Sequence, residues 1–493
     1  MKPSFLPVLV LFLSVCCGSG QSAERDPQTW VKLATPNFEL YTDTSSAKAK
    51  NLLRLFQAAE AVTFRRSDKQ PAETNSPLRI IAFASGEEYA PFRLKTAALG
   101  HYLHARDRDY VVLSDAEPEH FEAAVHEYTH FAVNRAGLHL PLWLNEGIAD
   151  LYSTTAVSAG TPLLGAPLAA RLSTLTNYRL IPLRDLFAAG RASSLYNTPE
   201  ITPLFYAESW LFTRLLALDG RYAGQFPEFL DQVSAGRSSA DALWNIYRVT
   251  PEQFDAELPA YLREMQGGRT VPRASLPEQA EPEQTVISKF ERGMILADLL
   301  AAHPATAAKA KQQVLQLDRE FPGDPQSQEL LGHIAWQSKQ SDEARAHWLK
   351  AVEEGSHDFG TFYRLALLLH QDGAPSSQVI ALLEKALELK PDCDEAVYNL
   401  GVLKYGDGEY AGATEALSRV RTVAPEHAYT YYSVLGYCQM KLNTLERAKL
   451  SLRKAAQSAR TAEEQAENSR MLQLTESLRG VATERISGKR EAS

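Results

Sequence analysis

The chain has little cysteine: four residues in 493, two of them adjacent at Cys16 and Cys17. So few cysteines exclude a disulfide framework, and the spacing of the other two, Cys393 and Cys438, matches no zinc ribbon. Two buried or unpaired thiols in a helical region are expected instead. An excess of positive charge is also missing. There are 51 Lys and Arg against 60 Asp and Glu, a net charge of −9. No global basic balance therefore points to nucleic acid. Long apolar runs are absent too. Phe5 to Cys16 is shorter than the roughly 18–20 residues a membrane span needs, and no later segment is apolar enough over that length. No transmembrane span is expected in the mature chain.

The short run has a different meaning. Lys2 precedes it, and Gly18, Ser19 and Gly20 follow it. That order reads as a cleaved secretory signal over residues 1–23, cut after Gly20 or Ala23. Export to the periplasm or the extracellular space is the expectation, with Cys16 and Cys17 leaving with the signal. Lipid anchoring at these cysteines is the rival, but Val15 stands where a lipobox wants a small residue.

What is present is ordinary globular material, 45% apolar and 23% charged. At roughly 100–200 residues per domain it makes about two to four domains. Residues 24–115 read as mixed α/β. Phe38 to Tyr41 alternates like a strand after the turn signal Pro36-Asn37. Ser46 to Arg65 has helical spacing with Ser45 or Ser46 as a cap, and Leu78 to Phe83 and Tyr110 to Leu113 read as strands. Residues 116–266 read as mainly helical: one helix ends at Gly137, a second starts near Leu144, and Leu204 to Leu218 and Pro251 to Met265 are amphipathic. Residues 267–284, with Gly267-Gly268 and three prolines, read as a linker.

Residues 285–480 repeat. Small residues recur at Gly332, Ala366, Gly401 and Gly436, and Pro391 and Pro425 stand 34 residues apart. A period of about 34 residues with two helices per unit is the tetratricopeptide signature. Tyr398-Asn399-Leu400-Gly401, followed by Gly408 to Ala411, resembles that family. An all-α superhelix that binds a protein partner is therefore expected, with flanking helices at Thr285 to Leu317 and Thr461 to Leu478. The last residues, 481–493, read as a flexible tail.

The chemistry concentrates in two short motifs. In His126-Glu127-Tyr128-Thr129-His130 the histidines are four residues apart, so both imidazoles leave one helix face. Such a pair can share a metal ion, with Glu127 beside it. Asn145-Glu146-Gly147-Ile148-Ala149-Asp150 follows a short Gly- and Pro-punctuated loop. Two antiparallel helices would bring Glu146 to the histidines. Two histidines and one carboxylate leave a fourth zinc position for water. Asp150, on the same face as Glu146, can accept a hydrogen bond from a ligand histidine.

These residues resemble the gluzincin metallopeptidases, and their flanks look most like the bacterial peptidase-MA-like group. The resemblance implies an α+β zincin-like domain with a small mixed sheet. It implies Zn2+ held by His126, His130 and Glu146, Glu127 as general base, Asn145 and Asp150 as supporting residues, and a peptide or protein substrate. A Tyr or His often stabilises the oxyanion in that family. Tyr206, in Phe205-Tyr206-Ala207-Glu208-Ser209-Trp210, is the candidate here, the alternative being that it only packs the helical core. No Gly-Ala-Met-Glu-Asn segment precedes the motif, so recognition of a free amino terminus does not carry over. Tyr110 to Leu113 reads either as the edge strand that pairs with an extended peptide or as a core strand. His101, His104, His120 and His139 read as surface or loop histidines. The competing function is an interaction scaffold with a zinc-binding but non-proteolytic domain.

Overall fold

The computed structural model describes residues 29–63, 77–94, 98–105, 108–158, 161–265, 271–272 and 281–490. The expected signal segment and most of the expected linker lie outside them. The chain divides into two compact units, Met1–Ser288 and Lys289–Ser493.

The first unit is built on a six-stranded mixed sheet. Its strands are β1 (Val31–Ala34), β2 (Phe38–Thr42), β3 (Leu78–Ala82), β4 (Gly100–His104) and β5 (Asp109–Leu113), with β9 (Glu283–Val286) added from far along the chain. Their order is β4-β5-β3-β2-β1-β9, with β2, β3 and β5 mutually parallel and the other pairs antiparallel. Three further short strands, β6 (Ala156–Ser158), β7 (Thr161–Leu164) and β8 (Val271–Pro272), form a separate sheet. β5 takes the core reading: it lies between β3 and β4, and the edge beside it is β4. The sheet buries Phe38, Leu40, Ile80 and Val111 against helix α1 (Ser46–Val62), which Ser45 caps by accepting from the Lys48 N–H at 3.4 Å. Helix α2 (Phe121–Arg135) joins this core through Ala124, Val125 and Tyr128.

The chain then becomes helical: α3 (Leu142–Ser153), α4 (Ala169–Asn177), α5 (Leu183–Ala188), α6 (Thr202–Leu218), α7 (Phe226–Ser234), α8 (Ser239–Tyr247) and α9 (Pro251–Met265). Trp143, Trp210, Phe212 and Phe254 are fully buried in a second core among them. At about 1.5–3 kcal/mol for each large apolar side chain taken out of water, such cores fix how the helices sit.

The second unit is an all-α array of helix pairs: α10 (Lys289–Ala301) with α11 (Ala307–Glu320), α12 (Pro325–Gln337) with α13 (Ser341–Glu353), α14 (Phe359–Gln371) with α15 (Ser376–Leu389), α16 (Asp394–Gly406) with α17 (Tyr410–Ser418), and α18 (Ala428–Lys441) with α19 (Leu445–Ser458). The small residues that mark the period have one packing role. Gly332 faces Trp348, Gly401 faces Leu417 and Gly436 faces Leu452; a Cβ added at these glycines would stand 2.4, 2.6 and 2.7 Å from those side chains. Ala366 is likewise fully buried. Cys393 and Cys438 are free thiols in this array.

Two expected boundaries are corrected. Residues 283–286 were to end the linker and open the repeats, but they form edge strand β9 against β1. The strand is exposed along its whole length and mostly polar, so no apolar alternation marks it. The expected tail from residue 481 is helix as far as Arg490, the end of α20 (Ala462–Arg490), which continues through it with no proline to stop it. Among the described residues, no helix is long and apolar enough to cross a membrane.

The helical core holds an unusual acid. Glu208 on α6 is fully buried; its Oε2 accepts from the Ile181 N–H at 2.7 Å, and its Oε1 meets no donor among the described residues. Burial, with the charge of Asp255, pushes its carboxyl up to about 8 against the Ile181 N–H, which favours the anion. The folded state keeps a proton that the unfolded state gives up near the ordinary 4.5, so stability falls as pH rises between these two values. Glu208→Gln should remove that slope. Denaturant midpoints of the wild type should drop relative to the variant between about pH 5 and pH 8; parallel midpoints would refute the buried neutral acid.

Candidate metal centre

The two motifs meet because α2 stops sharply and α3 starts soon after. Gly137 adopts φ +65°, the Leu138 N–H reaches the Val133 carbonyl at 3.2 Å, and the Gly137 N–H reaches Asn134 at 2.9 Å. This is a Schellman turn, which needs a residue tolerant of the left-handed region. Pro141 then opens α3, its carbonyl accepting from Asn145 N–H at 3.0 Å. On α2, Ala124, Val125 and Tyr128 face the core, while His126, Glu127 and His130 line a cavity of about 1200 Å³.

Three donor atoms converge at one wall of that cavity. Nε2 of His126 and Nε2 of His130 are 3.2 Å apart, and Oε2 of Glu146 is 3.4 Å from the first and 3.6 Å from the second. Donors held at about 2.0–2.1 Å around a tetrahedral zinc stand about 3.4 Å from one another. The triangle has that size. Among the described residues, these three are the one His, Cys, Asp or Glu cluster able to hold a metal ion.

The electrostatics agree with a cation. Glu127, Glu146 and Asp150 supply three carboxylates and Arg171 one guanidinium, a formal surplus of two negative charges when both imidazoles are in the neutral form that binds a metal. Burial works against charge on His126, yet Asp150 and Glu146 hold its pKa well above the ordinary value. Burial likewise works to raise Glu146, but His126 and His130 hold its carboxyl below the usual carboxylate range. The remaining ring nitrogens are also held. His126 Nδ1 donates to Asp150 Oδ1 at 2.8 Å, so Nε2 is the nitrogen that would exchange its proton for a metal ion. Nδ1 of His130 lies 3.1 Å from the Asn145 side-chain amide.

Glu127 is positioned by the sheet edge. Its Oε2 accepts from the Tyr102 N–H of β4 at 2.7 Å. β4 approaches closely because residue 100 is glycine: a Cβ there would stand 2.9 Å from Leu113 Cδ2 and from the Val112 carbonyl. Gly147 has the same function for Glu146. Its absent Cβ would fall 2.2 Å from Thr213 Oγ1 and 2.3 Å from the Ser209 carbonyl, so only glycine lets α3 lie on α6.

Tyr206 projects from α6 into the same cavity. Its hydroxyl donates to the Tyr196 hydroxyl at 3.4 Å, and the Arg171 guanidinium lies 5.0 Å from its ring centre. Burial and the nearby charge of Glu146 raise its pKa, so it is a neutral phenol able to donate. The structure thus brings His126, Glu127, His130, Asn145, Glu146, Asp150 and Tyr206 to one place.

Two participants had no mark in the motifs. Arg171, on α4, donates from Nε to Asp150 Oδ2 at 2.6 Å and from Nη2 to Oδ1 at 3.3 Å. Tyr196 sits on an isolated helical turn. One histidine reading is corrected. His101 is no surface histidine but lies on β4, 8% exposed, with Nδ1 2.9 Å from the Tyr89 hydroxyl. Its neighbours in Gly100 to His104 alternate too briefly to announce a strand. His104 and His139 are exposed, and His120 is half-buried against Asp115 at 2.8 Å.

No known family model matches the chain, and no curated protein matches it. Solved structures similar to it include YrrB, a TPR protein with an unusual peptide-binding site (17% identity, TM-score 0.31, 37% of this chain and 98% of that one). Others are MamA from Desulfovibrio magneticus RS-1 (17%, 0.28, 35% and 96%) and PilF of Pseudomonas aeruginosa (15%, 0.29, 41% and 90%). These likenesses are coarse, and the description of the helix-pair array rests on the chain's own packing.

Removing the support of a metal ligand commonly costs 10–100-fold in affinity. On the reading that the triangle holds zinc, Asp150→Asn and Arg171→Gln should each weaken its binding by about that factor in competition with a chelating dye. Unchanged affinity in both would exclude the Arg171–Asp150–His126 chain as the support of the site.

Proposed function

We propose that the first unit is a zinc-dependent peptidase of the gluzincin type and that the helix-pair array binds a protein partner or presents substrate. The observation that carries this reading is the donor triangle of His126, His130 and Glu146 with Glu127 beside it. Export, read from the amino-terminal segment, belongs to the same proposal.

Each residue has a role in peptide hydrolysis. His126, His130 and Glu146 would hold the ion. A zinc ion held there would supply Lewis acidity, lowering the pKa of a water towards about 7 and polarising a carbonyl. Glu127 is the general base: with Oε2 tied to the Tyr102 N–H, its other oxygen takes the proton of the attacking water and delivers it to the leaving amine. Tyr206, a neutral phenol in the same cavity, donates to the oxygen on which charge develops. β4 supplies a sheet edge for an extended substrate. Its pairing with β5 alternates, and the bond from Tyr102 N–H to Glu127 puts the backbone groups of Gly100, Tyr102 and His104 on the open side. The interaction-scaffold reading shares the array but leaves Glu127 and Tyr206 without a task.

A digest of a peptide mixture by the full chain tests this. Glu127→Gln should retain the metal and lose turnover by about 10²–10⁴-fold. Tyr206→Phe should retain the metal and lower kcat by about 10²–10³-fold. Cleavage surviving in Glu127→Gln would refute the base assignment, and unchanged kcat in Tyr206→Phe would return that residue to core packing.

A further inference from the structure

The cavity over the donor triangle has a charge pattern that hydrolysis itself does not require. Its only carboxylates, among the described residues, are Glu127 and Glu146, both already committed to the metal centre. Three arginines line it: Arg184 on α5, Arg191 in the turn after α5, and Arg237 between α7 and α8. In a chain with 60 acidic residues against 51 basic ones, an all-arginine charged wall runs against composition.

The three are not equivalent. Arg184 is ion-paired with Glu252, which is not part of the cavity. Arg191 and Arg237 are exposed and have no carboxylate within ion-pair distance among the described residues. Their backbones are nonetheless anchored. The Arg237 N–H donates to the Gln232 carbonyl at 3.1 Å, in a turn where Gly236 has φ +91°, and the Arg191 carbonyl accepts from Asn197 Nδ2 at 2.6 Å. Phe187 and Val233 make the neighbouring surface apolar. Two free guanidiniums on fixed turns, facing a peptide-sized groove, match the fork geometry of a carboxylate.

We propose that Arg191 and Arg237 select a carboxylate of the bound peptide, so that the substrate class of this cleft is acidic peptides. The inference rests on the peptidase reading and names the substrate preference of the same site. The carboxylate comes either from an Asp or Glu side chain or from the peptide's own carboxyl terminus.

The test uses fluorescent peptides of one sequence with Glu or Gln at the positions flanking the cleaved bond, each with a free or amidated carboxyl terminus. Binding is read by anisotropy on zinc-loaded Glu127→Gln protein, and cleavage is read with the wild type. Each exposed charge pair is worth up to about fivefold, so two should give the carboxylate peptide up to about 25-fold tighter binding than its amide twin. The advantage should shrink with added salt, disappear in Arg191→Gln/Arg237→Gln, and turn towards a Lys peptide in Arg191→Glu/Arg237→Glu. An advantage that survives amidation assigns the side-chain carboxylate; one confined to free termini assigns the terminal carboxylate. Equal binding by all four peptides, or an advantage unchanged in the double Gln variant, overturns the proposal. Cleavage without carboxylate preference overturns it while leaving the peptidase reading intact. Selective binding without any cleavage by the wild type keeps the arginine wall and removes the peptidase.

Discussion

The first unit depends on keeping three donor atoms within 3.6 Å of one another in a largely buried corner. Glu146 and Asp150 are 6% and 3% exposed, and buried charges destabilise a fold unless each is paired. Every local device at the site serves that pairing. Asp150 is held between His126 and Arg171, and Glu146 between two imidazoles. Gly147 lets α3 press onto α6, and the Schellman turn at Gly137 aims α3 back along α2. The sheet adds the fourth element: an edge strand whose Tyr102 N–H holds Glu127 and whose Gly100 lets the strand come close.

The two units solve packing differently. In the first, a mixed sheet and an aromatic helical core hold polar groups at a single cavity wall. In the second, one small-against-large contact is repeated, so each helix pair resembles the next. The candidate metal centre accordingly lies in the first unit, while the array offers a repeated surface of the kind solenoids use for partners.

The legible parts of the sequence were those where function is written along one helix. His126 and His130, then Glu146 and Asp150, share faces through spacings of four, so motif and geometry coincide. The 34-residue period was legible because Gly332, Gly401 and Gly436 obey one packing rule. What the sequence hid is what tertiary contact decides. Arg171 reaches Asp150 across space from a helix with no motif. β4 and β9 are edge strands of five and four residues, too short for an alternation to stand out, and β9 is exposed along its whole length. His101 is buried by the strand that carries it, so its environment could not be read before the strand was known. Tyr206 left two readings open because an aromatic at helical spacing serves a core and a cavity equally well; its position in the cavity wall, beside Tyr196 and Arg171, favours the second.

The central claim is that His126, His130 and Glu146 form a zinc site with one open position. Elemental analysis with X-ray absorption at the zinc edge on the purified full-length chain tests it most directly. The account predicts about one zinc per chain, four nitrogen or oxygen neighbours at roughly 2.0–2.2 Å with two imidazoles among them, and loss of the metal in a folded His126→Ala variant. A protein that takes up no stoichiometric zinc even when zinc is supplied, or one that keeps it without His126, would contradict the account.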